Sequence, residues 1–161
     1  MCIRDRLRAV GEALAEEHSG LIFANLVDFD MEWGHRNDAE RFAAALVYLD
    51  SQLGRFLSLL EPTDALIITA DHGNAEEMFE LDKKTGQPKL HPDGRPKAKT
   101  AHTLNPVWFI IYDPSGTDCI LFNPEVSTPG LTNVASTLLQ LLGVEAPDIY
   151  DPPLLLFKKE C

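Results

Sequence analysis

Apolar and polar positions follow several rhythms along this chain. Residues 7–18, LRAVGEALAEEH, have the spacing of an amphipathic helix, with Gly20 as its stop. Residues 21–27, LIFANLV, are almost all apolar and give way to polar residues, as expected of a strand covered on both faces. Phe42, Leu46, Leu49, Leu53, Phe56 and Leu60 then advance by alternating fours and threes. That draws one stripe along a long helix, with Asn37 or Asp38 as its cap and Pro62 as its end. Residues 64–70, DALIITA, form a second buried strand and residues 106–112, PVWFIIY, a third. A helix between two such strands is a βαβ unit, so the expected fold is α/β, a parallel sheet with helices packed against it. Residues 131–143, LTNVASTLLQLLG, read as a last helix, with Thr132 or Asn133 as cap and Gly143 as stop. The proline-rich APDIYDPPLL reads as an irregular tail.

Residues 75–99 break the pattern. Two turn signals, Thr85-Gly86 and Pro92-Asp93-Gly94, suggest an exposed inserted hairpin. Lys83, Lys84, Lys89, Arg95, Lys97 and Lys99 all fall in it, and they read first as a solvated basic loop and second as a guide for a phosphorylated substrate.

Composition narrows the possibilities. The chain has 161 residues, 45% of them hydrophobic and 24% charged, which suits a globular domain and not a disordered one. A net charge of −11 argues against nucleic-acid binding, which needs a basic footprint. No apolar run approaches the ~20 residues of a membrane span, and the first residues have no apolar core like that of a signal peptide. Cys2, Cys119 and Cys161 form no CxxC pair and read as free thiols, which favours the cytoplasm.

Three polar clusters border the expected strands. Asp28, Asp30 and His35 follow the first, Asp71 and His72 end the second, and His102 precedes the third. The carboxyl ends of strands form the ligand crevice of an open α/β sheet, so these groups can converge there. Mixed carboxylate and imidazole suits manganese or zinc, and the number of groups suits a two-metal centre. An Asp-His pair alone is more often hydrogen-bonded structure, and Asp28 reads best as a loop cap. Met31 and Trp33 pack or line the cleft, and His18 and His91 read as surface. Three clusters together favour a metal.

At these clusters the sequence resembles the cofactor-independent phosphoglycerate mutases of the alkaline phosphatase superfamily. The resemblance rests on TADHGNAEEM (69–78), TAHTLNPV (100–107) and LTNVASTLLQLLGVEAPDIYDPPLL (131–155). It implies a three-layer alkaline-phosphatase-like sheet with helices on both faces, present here as a partial domain. Residues 1–19 would be a helix at the edge of a truncated domain, and residues 20–161 the C-terminal part of the metal-binding domain. The implied activity interconverts 3-phosphoglycerate and 2-phosphoglycerate through a phosphoserine, in a cytoplasmic glycolytic enzyme that is monomeric at full length. Two manganese ions are implied, with zinc or magnesium as substitutes. Asp30, His35 and His102 would hold one ion, and Asp71 and His72 the other, with Gly73 letting the backbone turn tightly beneath them.

Two features depart from that family. Four residues separate Asp30 from His35 where the mutases have three, a spacing that resembles phosphopentomutase. No serine here stands in the context of the family's nucleophile, so the chain by itself is expected to be inactive. A metal-binding remnant without catalysis is the alternative outside enzymes.

Overall fold

The computed structural model describes residues 2–16 and 19–158. They form two compact units.

The first unit comprises residues 1–17, 22–59 and 69–109. Its core is a pair of helices, α1 (Ile3–Leu14) and α2 (Ala39–Leu57). Ile3, Leu7, Ala45 and Phe56 are buried between them, with Val10, Leu26, Trp33, Tyr48, Leu49 and Leu53 packed alongside. Asp38 caps α2 by accepting a hydrogen bond from the Arg41 amide at 3.0 Å. The buried stripe of α2 differs by one position from the expected one: Ala45 and Tyr48 face α1, and Leu46 is exposed. Ala45 takes the buried place expected of Leu46, and a 3.6-residue period alone cannot choose between neighbouring lines. α1 begins before the expected start, at Ile3, and His18 lies outside the described residues.

Residues 21–27 form no strand, contrary to expectation. A strand needs partner N–H and C=O groups as well as an apolar run. Among the described residues this segment has no ladder partner, and Phe23 stands 77% exposed. Its end is fixed by Asp28, whose buried carboxylate accepts a hydrogen bond from the Ile3 amide at 2.5 Å. Asp28 thus satisfies an otherwise free donor in the first turn of α1, where negative charge is also favoured by the helix dipole.

The insert at 75–99 is a two-tiered antiparallel arm, with bridges Phe79↔Ala98, Leu81↔Pro88 and Leu90↔Pro96. Gly86 and Gly94 take positive φ at the two turns signalled in the sequence. Lys89 pairs with Glu80, Arg95 with Asp93 and Lys99 with Glu77, so half of the basic residues are locally neutralised.

The second unit holds strands β1 (Leu66–Thr69) and β2 (Phe109–Tyr112) except for their border residues Thr69 and Phe109, and the two strands neighbour each other in one sheet. A second sheet pairs β3 (Ile120–Phe122) with β4 (Leu155–Phe157), antiparallel, with Leu121 opposite Leu156. The predicted last helix is split into a 3-10 turn (Leu131–Asn133) and α3 (Val134–Leu141). The proline-rich tail is tied down and not irregular throughout. Prolines cannot donate, so side chains reach their carbonyls: Asn133 Nδ2 to Pro152 O at 2.8 Å and Asn123 Nδ2 to Pro153 O at 3.0 Å. Buried Thr137 accepts from the Leu154 amide at 2.8 Å and donates to Asn133 O. Cys119, expected as a free thiol, is disulfide-bonded, whereas Cys2 is free and exposed.

Candidate metal centre

The first unit brings Asp30, His35, Asp71, His72 and His102 to one place. Asp30 lies in a single π-helical turn, Phe29–Gly34, and His35 caps its end, the His35 amide donating to Asp30 O at 2.8 Å. An α-turn would bring residues four apart together, and this one joins residues five apart. The longer spacing between Asp30 and His35 is thereby absorbed. Phe29 anchors the turn in the core through Trp33 and Phe42, with ring centroids 5.4 and 5.0 Å away.

The donor atoms converge on the Asp30 carboxylate. Its Oδ1 lies 3.1 Å from His102 Nε2 and 4.0 Å from His72 Nε2, and its Oδ2 lies 3.3 Å from His35 Nε2. One ligand atom each from Asp30, His72 and His102 falls within 4.8 Å of the others. The His72 and His102 rings stack 3.5 Å apart at 11°. Asp71 is the outlier: its side chain is 86% exposed, and its Oδ1 stands 3.6 Å from His72 Nε2.

The tautomers are constrained. His35 Nδ1 faces the Thr100 carbonyl at 2.7 Å, so it carries a proton and a neutral ring offers its Nε2 lone pair. That Nε2 lies 3.3 Å from His102 Nε2. Two imidazole nitrogens facing each other beside a carboxylate form an electron-rich pocket that can accept a divalent cation. The donor set of carboxylate oxygen and imidazole nitrogen fits manganese or zinc. The Thr100 carbonyl orients the His35 imidazole, with its Nε2 turned toward Asp30. Sequence reasoning missed it, because a backbone carbonyl has no residue signature.

Beneath the histidines runs a second network that the sequence did not announce as functional. Glu76 accepts from the Thr103 hydroxyl, from Asn105 Nδ2 at 3.0 Å and from the Asn74 amide at 2.8 Å. These bonds, with the Thr103 hydroxyl foremost, lower its pKa from 4.5 to about 2. Glu77 accepts from Lys99 and from Asn105 Nδ2, and its pKa is also lowered, chiefly by Lys99. Gly73 is required for space and not for an unusual turn, because its φ is not positive. A Cβ there would overlap Glu76 Oε1 and Thr103 Oγ1. Gly34 is similar: a Cβ would come within 2.9 Å of the buried Asn74 amide.

Comparison with known proteins extends the picture. A model described as the Metalloenzyme superfamily matches residues 1–146. A probable 2,3-bisphosphoglycerate-independent phosphoglycerate mutase of Leptospira interrogans is 41% identical over 148 residues, 91% of this chain and 26% of that protein. The 2,3-bisphosphoglycerate-independent phosphoglycerate mutase of Mesembryanthemum crystallinum is 40% identical over 132 residues, 81% of this chain and 23% of that protein. A crystal structure of Leishmania mexicana phosphoglycerate mutase at low cobalt concentration superposes with a TM-score of 0.83 at 30% identity, covering 96% of this chain and 28% of that one. The fold is therefore α/β and of the phosphoglycerate mutase type. The chain spans about a quarter of the length of these relatives.

Proposed function

Because the chain belongs to the Metalloenzyme superfamily, we propose that it forms the metal-binding part of a cofactor-independent phosphoglycerate mutase. The whole enzyme would interconvert 3-phosphoglycerate and 2-phosphoglycerate through a phosphoserine, in cytoplasmic glycolysis. The convergence of Asp30, His72 and His102 within 4.8 Å carries this reading. Asp30, His35 and His102 would hold one manganese ion, and Asp71 and His72 a second. Bound there, the ions would neutralise phosphate charge and lower the pKa of the attacking oxygen. Asp30 serves as the hub, since both of its oxygens already face imidazole nitrogens. Thr100 O fixes His35 with Nε2 turned inward. The core contact of Phe29 with Trp33 and Phe42 keeps the turn that carries Asp30 and His35 in place.

The test is manganese titration of the purified chain by calorimetry. Saturable binding is expected, and His102→Ala and Asp71→Ala should each weaken it. Unchanged binding in both variants would remove the metal reading. No serine of this chain is assigned as nucleophile, so the isolated chain should show no mutase turnover with manganese present. A second reading, phosphopentomutase, draws on the four-residue spacing held by the π turn. Assay of a full-length enzyme with 3-phosphoglycerate and with ribose 1-phosphate separates the two.

A further inference from the structure

Taking the cluster as a metal centre, we infer that Glu76 is a positioning residue: with Thr103 it latches the segment bearing His72 to the segment bearing His102, and so sets how the two imidazoles face Asp30. Glu76 gathers donors from both segments, the Asn74 amide from one and the Thr103 hydroxyl and Asn105 amide from the other. Each anchored segment begins one residue after a histidine, at Gly73 and at Thr103. The same two residues are joined by a backbone bridge, the Thr103 amide donating to Gly73 O at 2.9 Å. Glu77 doubles the connection through Asn105 and Lys99.

The histidines need such a constraint. Their rings lie face to face at 3.5 Å with both Nε2 atoms near one carboxylate oxygen. Neutral rings gain little from that stack, and protonated rings repel each other across it. Among the described residues, none of Glu76's hydrogen bonds goes to Asp30, His35, His72 or His102, so it acts through the backbone and not as a ligand. The close fit also explains the glycine, since any side chain at position 73 would occupy the latch.

Two measurements on the purified chain test this: calorimetric titration with manganese alone, and proton NMR of the histidine rings without metal. Glu76→Ala and Thr103→Val should each weaken manganese binding by about 10–100-fold, the usual cost of losing an outer partner. Thr103→Ser keeps the hydroxyl and should restore binding to near the unsubstituted level. The Glu76→Ala, Thr103→Val double variant should bind no more weakly than the worse single, because the two residues act as one unit. In the metal-free chain, the ring protons shifted by the stack should move toward free-histidine positions in Glu76→Ala and Thr103→Val, and stay in Thr103→Ser. Circular dichroism selects folded variants, and Thr103→Val is the milder change. Folded variants with normal binding and unmoved ring protons would overturn the latch, as would Thr103→Ser behaving like Thr103→Val. Equal manganese binding by the unsubstituted chain and His72→Ala would instead overturn the metal reading, and the ring protons would still decide the latch.

Discussion

Glu76 titrates far from the range of an ordinary glutamate because three donors hold its charged form. A carboxyl whose pKa is lower in the folded state adds stability that is complete above the unfolded value of 4.5. That stability is lost as pH falls through the folded value of about 2. Glu76 is exposed, so water screens the effect and keeps it modest. Thermal melts of the chain and of Glu76→Gln should differ at pH 6, and the gap should close steadily between pH 4.5 and pH 2. A constant gap would mean that charge plays no part. At this scale the sequence was informative about what is charged and silent about what is held. Asp30, His35, Asp71, His72 and His102 announce their chemistry by residue type. Glu76 and Thr103 look like ordinary surface residues until the fold sets them against each other across 26 intervening positions.

Elements were legible where period and cap agreed. Asp38 capping α2, Gly86 and Gly94 at the hairpin turns, and Gly143 after α3 follow from local chemistry that a sequence displays directly. Residues 21–27 show the opposite case. Their composition is that of a strand, but pairing is a property of the partner. The π turn was hidden for another reason, since its signature is a hydrogen bond five residues long and not a residue type. It makes a direct prediction. Glu32 is exposed and pairs only loosely with Arg36, at 3.5 Å, so deleting it should let the turn close as an α-turn with Asp30 and the histidine four apart. Calorimetry should show that manganese binding survives the deletion. Loss of binding would mean that the extra residue is itself needed.

For the whole molecule, charge and apolar exposure oppose one another. The net charge is −11, yet Phe23, Leu104, Trp108 and Ile149 are each more than three-quarters exposed. Such apolar exposure favours association, and like charge resists it until salt screens it. The isolated chain should therefore sediment as a smaller species in dilute buffer than in about 1 M salt, where the Debye length falls to roughly 3 Å. A size independent of salt and concentration would count against this. The fold class was readable at this level because helix and strand periods alternate along the chain. How the chain divides into two compact units was not, since that depends on contacts between distant segments.

Among the described residues, hydrogen bonds tie the insert at 75–99 to the rest of its unit at its base. There Glu76 accepts from the Thr103 hydroxyl and Asn105 Nδ2, Glu77 accepts from the same Nδ2, and just outside the arm the Thr103 amide meets Gly73 O. Among the described residues, the hydrogen bonds and ion pairs of residues 80–97 stay within the arm, through its own bridges and through Asp82 and Asp93 at its turns. The arm is thus a side branch whose length is decoupled from the histidines on either side of its root. Adding residues to its tip or trimming them from it should leave the distance between His72 and His102 unchanged, which makes it a natural point of attachment for a foreign loop or label.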